Sequence, residues 1–152
     1  MELLKELCLA NGVSGDEKTV RELIISKIDG FCDYSTDNLG NLICFKKGRK
    51  TPKNKLMIAA HTDEVGFIVT YIRSDGTLCF DTVGGIDAGV IIGRQVIVKN
   101  YATGELLNGV VGSTAVHNLS KEQREKAPSV SSLYIDIGAE NKEEAEKHVS
   151  LG

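Results

Sequence analysis

No apolar run in this 152-residue sequence approaches the ~20 residues that a membrane-spanning helix needs. The beginning, Met1-Glu2-Leu3-Leu4-Lys5-Glu6, carries acid where a secretory signal carries base, so the expectation is a cytoplasmic chain with no membrane partner. Positive charge is not in excess either. Eighteen Lys and Arg against 21 Asp and Glu leave a net charge of -3, which gives no electrostatic footprint for nucleic acid. The four cysteines, Cys8, Cys32, Cys44 and Cys79, include no C-x-x-C and none stands beside a histidine, which excludes a zinc knuckle and a thioredoxin-like pair. They read as reduced, buried, small apolar residues. Internal repeats and low-complexity segments are absent. What is there, 41% hydrophobic and 26% charged residues, fits one ordinary domain or two small ones.

Leu3, Leu4, Leu7 and Cys8 fall at helical spacing, and Gly12 offers a left-handed residue to close a helix over 2–11. Ser14-Gly15-Asp16-Glu17 has the form of a capping box for a second helix, with Val20, Leu23, Ile24 and Ile28 as its buried stripe and Gly30 at its end. From Phe31 the period changes. Residues 33–36 and 42–45 read as two strands joined by the turn formers of Asp37 to Asn41. Six positive charges, Lys46, Lys47, Arg49, Lys50, Lys53 and Lys55, then crowd ten positions with no aromatic among them, and read as a solvated loop. Leu56 to Ala60 is an unbroken apolar run, as in a strand covered on both faces of an α/β sheet. From Gly66 to Gly112 come nine glycines in 47 residues and short strand-like pieces at 67–72, 77–82, 95–99 and 109–111, with Ser74-Asp75-Gly76 as a hairpin turn. These indicate a small barrel or sandwich. Ser120 to Gln123 caps a short helix, 133–137 is a strand, and Asn141 to Glu144 starts a helix expected to run into Gly152.

The apolar run ends at His61-Thr62-Asp63-Glu64, and functional groups of open α/β sheets collect beyond the carboxyl ends of such strands. A neutral imidazole binds a metal through one nitrogen when the other is held by a hydrogen bond, and Asp63 is placed to hold it. H-x-D alone also describes an ordinary structural pair.

The segments Leu7 to Glu17, Asp37 to Leu42 and Ala60-His61-Thr62-Asp63-Glu64-Val65-Gly66-Phe67-Ile68-Val69 resemble the tetrahedral (TET) aminopeptidases, metallopeptidase family forty-two. The similarity continues through Gly84-Gly85-Ile86-Asp87, Gly93 to Val96, Gly109 to Gly112, His117 to Ser120 and Ile135 to Ala139. It implies an α/β (α+β overall) chain: residues 1–65 as the N-terminal part of an incomplete catalytic domain, and 66–152 as an inserted small β-barrel dimerisation domain with the start of the return to the catalytic domain. It implies two divalent ions, zinc or cobalt, activating a water against the N-terminal bond of short peptides, in enzymes that assemble as dodecamers. Carried over by residue, His61 matches a metal ligand, Asp63 the acid that orients it, and His117 a histidine outside the metal site.

Family members are roughly twice this length. The bridging aspartate, the general-base glutamate and the other ligands have no match here: His117 and His148 lie in other contexts, and Glu143-Glu144 reads as the first turn of an exposed helix. One histidine does not make a zinc site, so the chain alone is expected to hold no metal tightly and to be inactive, with the C-terminal half as its partner. Phe45, Met57, Ile58 and part of the Leu23/Ile24/Ile28 stripe are then expected to face solvent and to favour association. The alternative is a non-catalytic assembly module that binds itself or a full-length peptidase. A peptide-binding barrel and a glycosidase are weaker fits, the latter because Asp63 and Glu64 are adjacent and point apart if extended.

Overall fold

Hydrophobic spacing that is first helical and then alternating gives two compact units, Met1–Glu64 and Val65–Gly152, in a computed structural model that describes residues 1–50 and 53–152. Each unit mixes helix and strand.

In the first unit, α1 spans Glu2–Leu9 and α2 spans Lys18–Ile28. The first helix stops short of the expected Asn11 because Ala10 turns extended. Gly12 does not take the left-handed conformation expected of it. It is needed for closeness instead: a Cβ there would lie 2.5 Å from Val20 Cγ2 and 3.3 Å from the Thr62 carbonyl oxygen. The capping box does not form either. Glu17 caps α2 without a side-chain bond, and its carboxylate accepts from the Gly15 amide. Val20 is buried, Leu23, Ile24 and Ile28 are half-buried, and Gly30 closes the helix with φ +72°.

Strands β1 (Asp33–Thr36) and β2 (Leu42–Phe45) pair antiparallel, with Asp33 opposite Phe45 and Thr36 opposite Leu42. The Asp37 carboxylate organises their turn, accepting from the amides of Leu39 and Asn41 and from the Asn41 side chain. Arg21 in α2 donates to the Gly40 carbonyl and ties the hairpin down. In the basic stretch, Lys46 lies over the Phe31 ring, 3.8 Å from its centroid, and donates to the Phe31 carbonyl. Thr51 and Pro52 of that expected loop lie outside the described residues. The strand expected at Leu56 to Ala60 is not formed: Leu56, Met57 and Ile58 are 86–87% exposed. An apolar run becomes a strand only where a neighbour accepts its ladder, and none is present among the described residues. Phe45 is exposed as expected. The cysteines are free, as expected, but not buried: Cys8 and Cys44 are exposed, Cys32 and Cys79 half-buried.

The second unit is one antiparallel sheet with helices. Its strands are β3 (Gly66–Ile72), β4 (Leu78–Val83), β5 (Gln95–Lys99), β6 (Leu106–Ser113) and β7 (Leu133–Asp136), in the order β3-β4-β7-β6-β5. β3 and β5 are the two edges, with no ladder between them among the described residues. The β3-β4 turn forms as the sequence suggests, Arg73 and Thr77 sharing a backbone bond and Asp75 accepting from the Thr77 amide and hydroxyl. Gly76, with φ +82°, sits where a Cβ would lie 2.7 Å from the Ala139 carbonyl oxygen. Short helix α3 (Ala88–Ile91), absent from the sequence reading, is capped by Asp87. α4 is Lys121–Glu125. The last helix, α5 (Lys142–His148), is capped by Asn141 as expected but ends at His148 rather than Gly152, because Val149 turns extended into the core. Leu78, Val111, Leu133 and Ile135 are buried to 2% or less, and Phe67 meets Phe80 edge-on at 4.7 Å. Buried Asn100 accepts from the amides of Ala102 and Thr103 and donates to the His148 carbonyl, joining the β5-β6 turn to the end of α5.

Candidate functional site: the His61 to Glu64 loop

The loop that carries the expected site residues is held by the segment just after α1. Glu64 donates its amide to the Gly12 carbonyl at 2.7 Å and accepts the Ser14 amide at 3.3 Å, a parallel bridge of Val13 to Glu64. The Glu64 carboxylate also accepts the Gly12 amide at 3.2 Å. Thus Glu64 points back into the fold of the first unit. The close approach of Gly12 to Thr62 completes the clamp.

On this loop His61 and Asp63 do come together. Nδ1 of His61 lies 3.1 Å from Asp63 Oδ1 and 3.0 Å from the Asp63 carbonyl oxygen. Both neighbours only accept, so Nδ1 carries the proton, and in the neutral ring Nε2 keeps its lone pair. The side chain of His61 is 86% exposed, so that lone pair faces outward. The other carboxylate oxygen, Oδ2, accepts the Ser14 hydroxyl at 2.5 Å. The Ser14 bond holds the Asp63 carboxyl below the ordinary carboxylate range, against partial desolvation, with smaller help from its own backbone amide and His61. Asp63 is therefore an anion ready to orient an imidazole.

The remaining candidates stand elsewhere. His117 is exposed in a 3₁₀ turn, Val116–Asn118. His148 pairs with Glu105 at 3.1 Å, a contact between residues 43 apart with no local sequence signal. Glu143 and Glu144 form the first turn of α5, where the Glu144 carboxylate accepts the Glu140 amide. No three His, Cys, Asp or Glu side chains converge to hold a metal among the described residues. The chain thus has one imidazole nitrogen whose orientation could suit a single metal ligand, and not a whole divalent site among the described residues.

Comparison with known proteins bears on what such a loop belongs to. A family model described as M42 glutamyl aminopeptidase matches residues 40–152. The FrvX protein of Escherichia coli K12, which carries an inferred aminopeptidase name, is 39% identical over 154 residues, covering 100% of this chain and 42% of its own length. A crystal structure of a TET aminopeptidase from a marine sediment Thaumarchaeota archaeon superposes with a TM-score of 0.91 at 36% identity, over 100% of this chain and 42% of that one. The TET1 peptidase of Pyrococcus horikoshii, described as assembling into a tetrahedron or a large octahedral shell, gives 0.83 at 39% identity over 99% of this chain and 44% of that one. Fold and likeness together define a mixed α/β protein of the aminopeptidase type. Within that type, the chain belongs to the M42 glutamyl aminopeptidase family. It spans about 42% of the length of the FrvX protein.

Proposed function

We propose that the chain is the N-terminal portion of a metal-dependent aminopeptidase that removes N-terminal residues from short peptides. The observation that carries this reading is the Nδ1–H of His61 held between the Asp63 carboxylate and carbonyl, which leaves Nε2 free in the exposed loop. His61 would be one ligand of a pair of divalent ions, zinc or cobalt, and Asp63 the residue that orients it. Bound, such ions supply a water acidic enough to attack at neutral pH. One imidazole is too few ligands to hold them, so the 152-residue chain by itself binds metal weakly and turns over no peptide.

Residues 1–65 are then part of the catalytic domain, and 66–152 an assembly domain that completes a small barrel and makes homo-oligomers, dodecamers among them. Exposed His117 would serve structure or an interface there. The named assembly of the TET1 neighbour supports this, and free, accessible cysteines suit a reducing cytoplasm. A second reading, an assembly module without catalysis, has one observation in its favour. Ile97, Leu106 and Val110, 44–56% exposed, share the outer face of the β5-β6 pair beside an unpaired edge.

Complementation separates the two. Mixing the chain with a separately produced C-terminal half of a family member should restore zinc- or cobalt-dependent hydrolysis of aminoacyl p-nitroanilides, and Asp63→Asn should lower it by roughly 10–100-fold. Binding without activity would favour the assembly module. Turnover by the chain alone, abolished by His61→Ala, would refute the ligand count.

A further inference from the structure

We infer that Ser14 is a positioning residue for His61, acting through Asp63: its hydroxyl occupies one carboxylate oxygen so that the other stays on the imidazole. This deepens the proposed function and rests on it, since the orientation of His61 matters only if its free nitrogen has work to do.

Four features of the first unit lead there. The backbone bonds between Gly12, Ser14 and Glu64 fix the course of the loop, but none of them touches the Asp63 side chain. That side chain is 39% exposed, and a carboxylate held only by His61 and its own backbone amide can swing toward water or exchange its two oxygens. Ser14 removes this freedom: Oγ donates its only proton to Oδ2 at 2.5 Å, in the range of charge-assisted bonds, while Oδ1 faces His61 Nδ1. Finally, the hydroxyl is not spent on a helix cap. Sequence spacing assigns it to the start of α2, yet α2 has no side-chain cap, and the bond reaches across 49 residues instead.

The prediction concerns the imidazole itself, not the rate of a reaction. In the ¹⁵N-labelled 152-residue chain, recorded at alkaline pH, the two neutral tautomers of the His61 ring are distinguishable by nitrogen shifts. The His61 signals are assigned by subtracting the spectrum of His61→Gln. The wild-type chain should show a majority of the Nδ1–H form. Ser14→Ala should lower the ratio of Nδ1–H to Nε2–H by about two- to tenfold, the worth of one weakened hydrogen bond, and not to zero because the Asp63 carbonyl still accepts. Ser14→Thr, which keeps the hydroxyl, should restore the wild-type ratio. If Ser14→Ala loses the dispersed amide spectrum of a folded chain, Ser14→Cys, with a weaker donor, serves in its place and should show the same fall.

A Ser14 that only stabilised the loop would lower the denaturation midpoint and leave the tautomer ratio alone. A ratio unchanged in the folded Ala or Cys variant, or one lowered as much by Thr as by Ala, overturns the inference. The measurement uses neither metal nor peptide. If complementation restores no activity while Ser14→Ala still shifts the ratio, the positioning stands and the assigned reaction falls.

Discussion

The two units are stabilised in opposite ways. Between Met1 and Glu64, Val20 is the one buried apolar residue among those described, and the loop that carries the chemistry is fixed by hydrogen bonds from Gly12 and Ser14. Between Val65 and Gly152, ten buried apolar residues among those described, from Ile72 to Val149, form one cluster across the sheet, α3 and α5. Burying a large aliphatic side chain contributes ~1.5–3 kcal/mol, so the second unit carries its stability internally. The first presents Leu56, Met57, Ile58 and Phe45 to solvent and keeps its polar groups ordered. Exposed apolar surface of that kind favours association, whereas the polar loop is ordered by hydrogen bonds within the unit.

The comparison breaks most readily at Leu78. Leu78→Ala should cost the second unit ~2–5 kcal/mol in urea titration, whereas Val20→Ala in the first should cost about 1–2 kcal/mol, followed at amide signals of each unit. Equal losses would mean that the first unit hides a core of its own. Next in size, Gly76→Ala should destabilise the second unit by about 1–3 kcal/mol, because its Cβ meets the Ala139 and Asn141 carbonyls and its φ is +82°. Thermal unfolding reads that cost. A paired change, Met57→Ser with Ile58→Ser, should alter folding stability by less than ~0.5 kcal/mol and yet reduce self-association and the fluorescence of an apolar dye. Dye binding that survives the change would place the sticky surface elsewhere, with Ile97 and Leu106 the next to replace.

The smallest effect is that of acid. Bonds from Asn41 hold the Asp37 carboxyl below the ordinary carboxylate range, as bonds from Thr77 do for Asp75. A folded-state value below the unfolded one contributes stability above the ordinary range, and that stability is lost as pH falls through the lowered value. Carboxyl ¹³C titration should find both groups below the ordinary aspartate value of about 3.9. Because both carboxylates lie in solvent, the effect on unfolding should be slight.

What the sequence disclosed was local. The β1-β2 hairpin was read with its observed ends because Asp37 to Asn41 writes its turn in adjacent residues, and His61 with Asp63 was legible at a spacing of two. What depended on distant partners was hidden. Ser14 looked like a helix cap because nothing nearby announces a carboxylate 49 positions on. Gly12 looked like a helix stop, where packing against Val20 and Thr62 is what demands it. Leu56 to Ala60 looked like a central strand because composition records a preference for burial, and a strand also requires a neighbour.

The place of β7 has a consequence in time. Its residues are the last of the sheet to leave a ribosome, yet they lie between β4 and β6, pairing Leu78 with Ile135 and Val111 with the same residue. Apart from β7, the sheet is two hairpins, β3-β4 and β5-β6, with no ladder joining them among the described residues. At roughly 5–20 residues per second, the 50 positions from Val83 to Leu133 take ~3–10 s to synthesise. Until then the edge of β4 at Leu78 lacks the strand that pairs with it, and the sheet becomes a single structure only when its centre arrives.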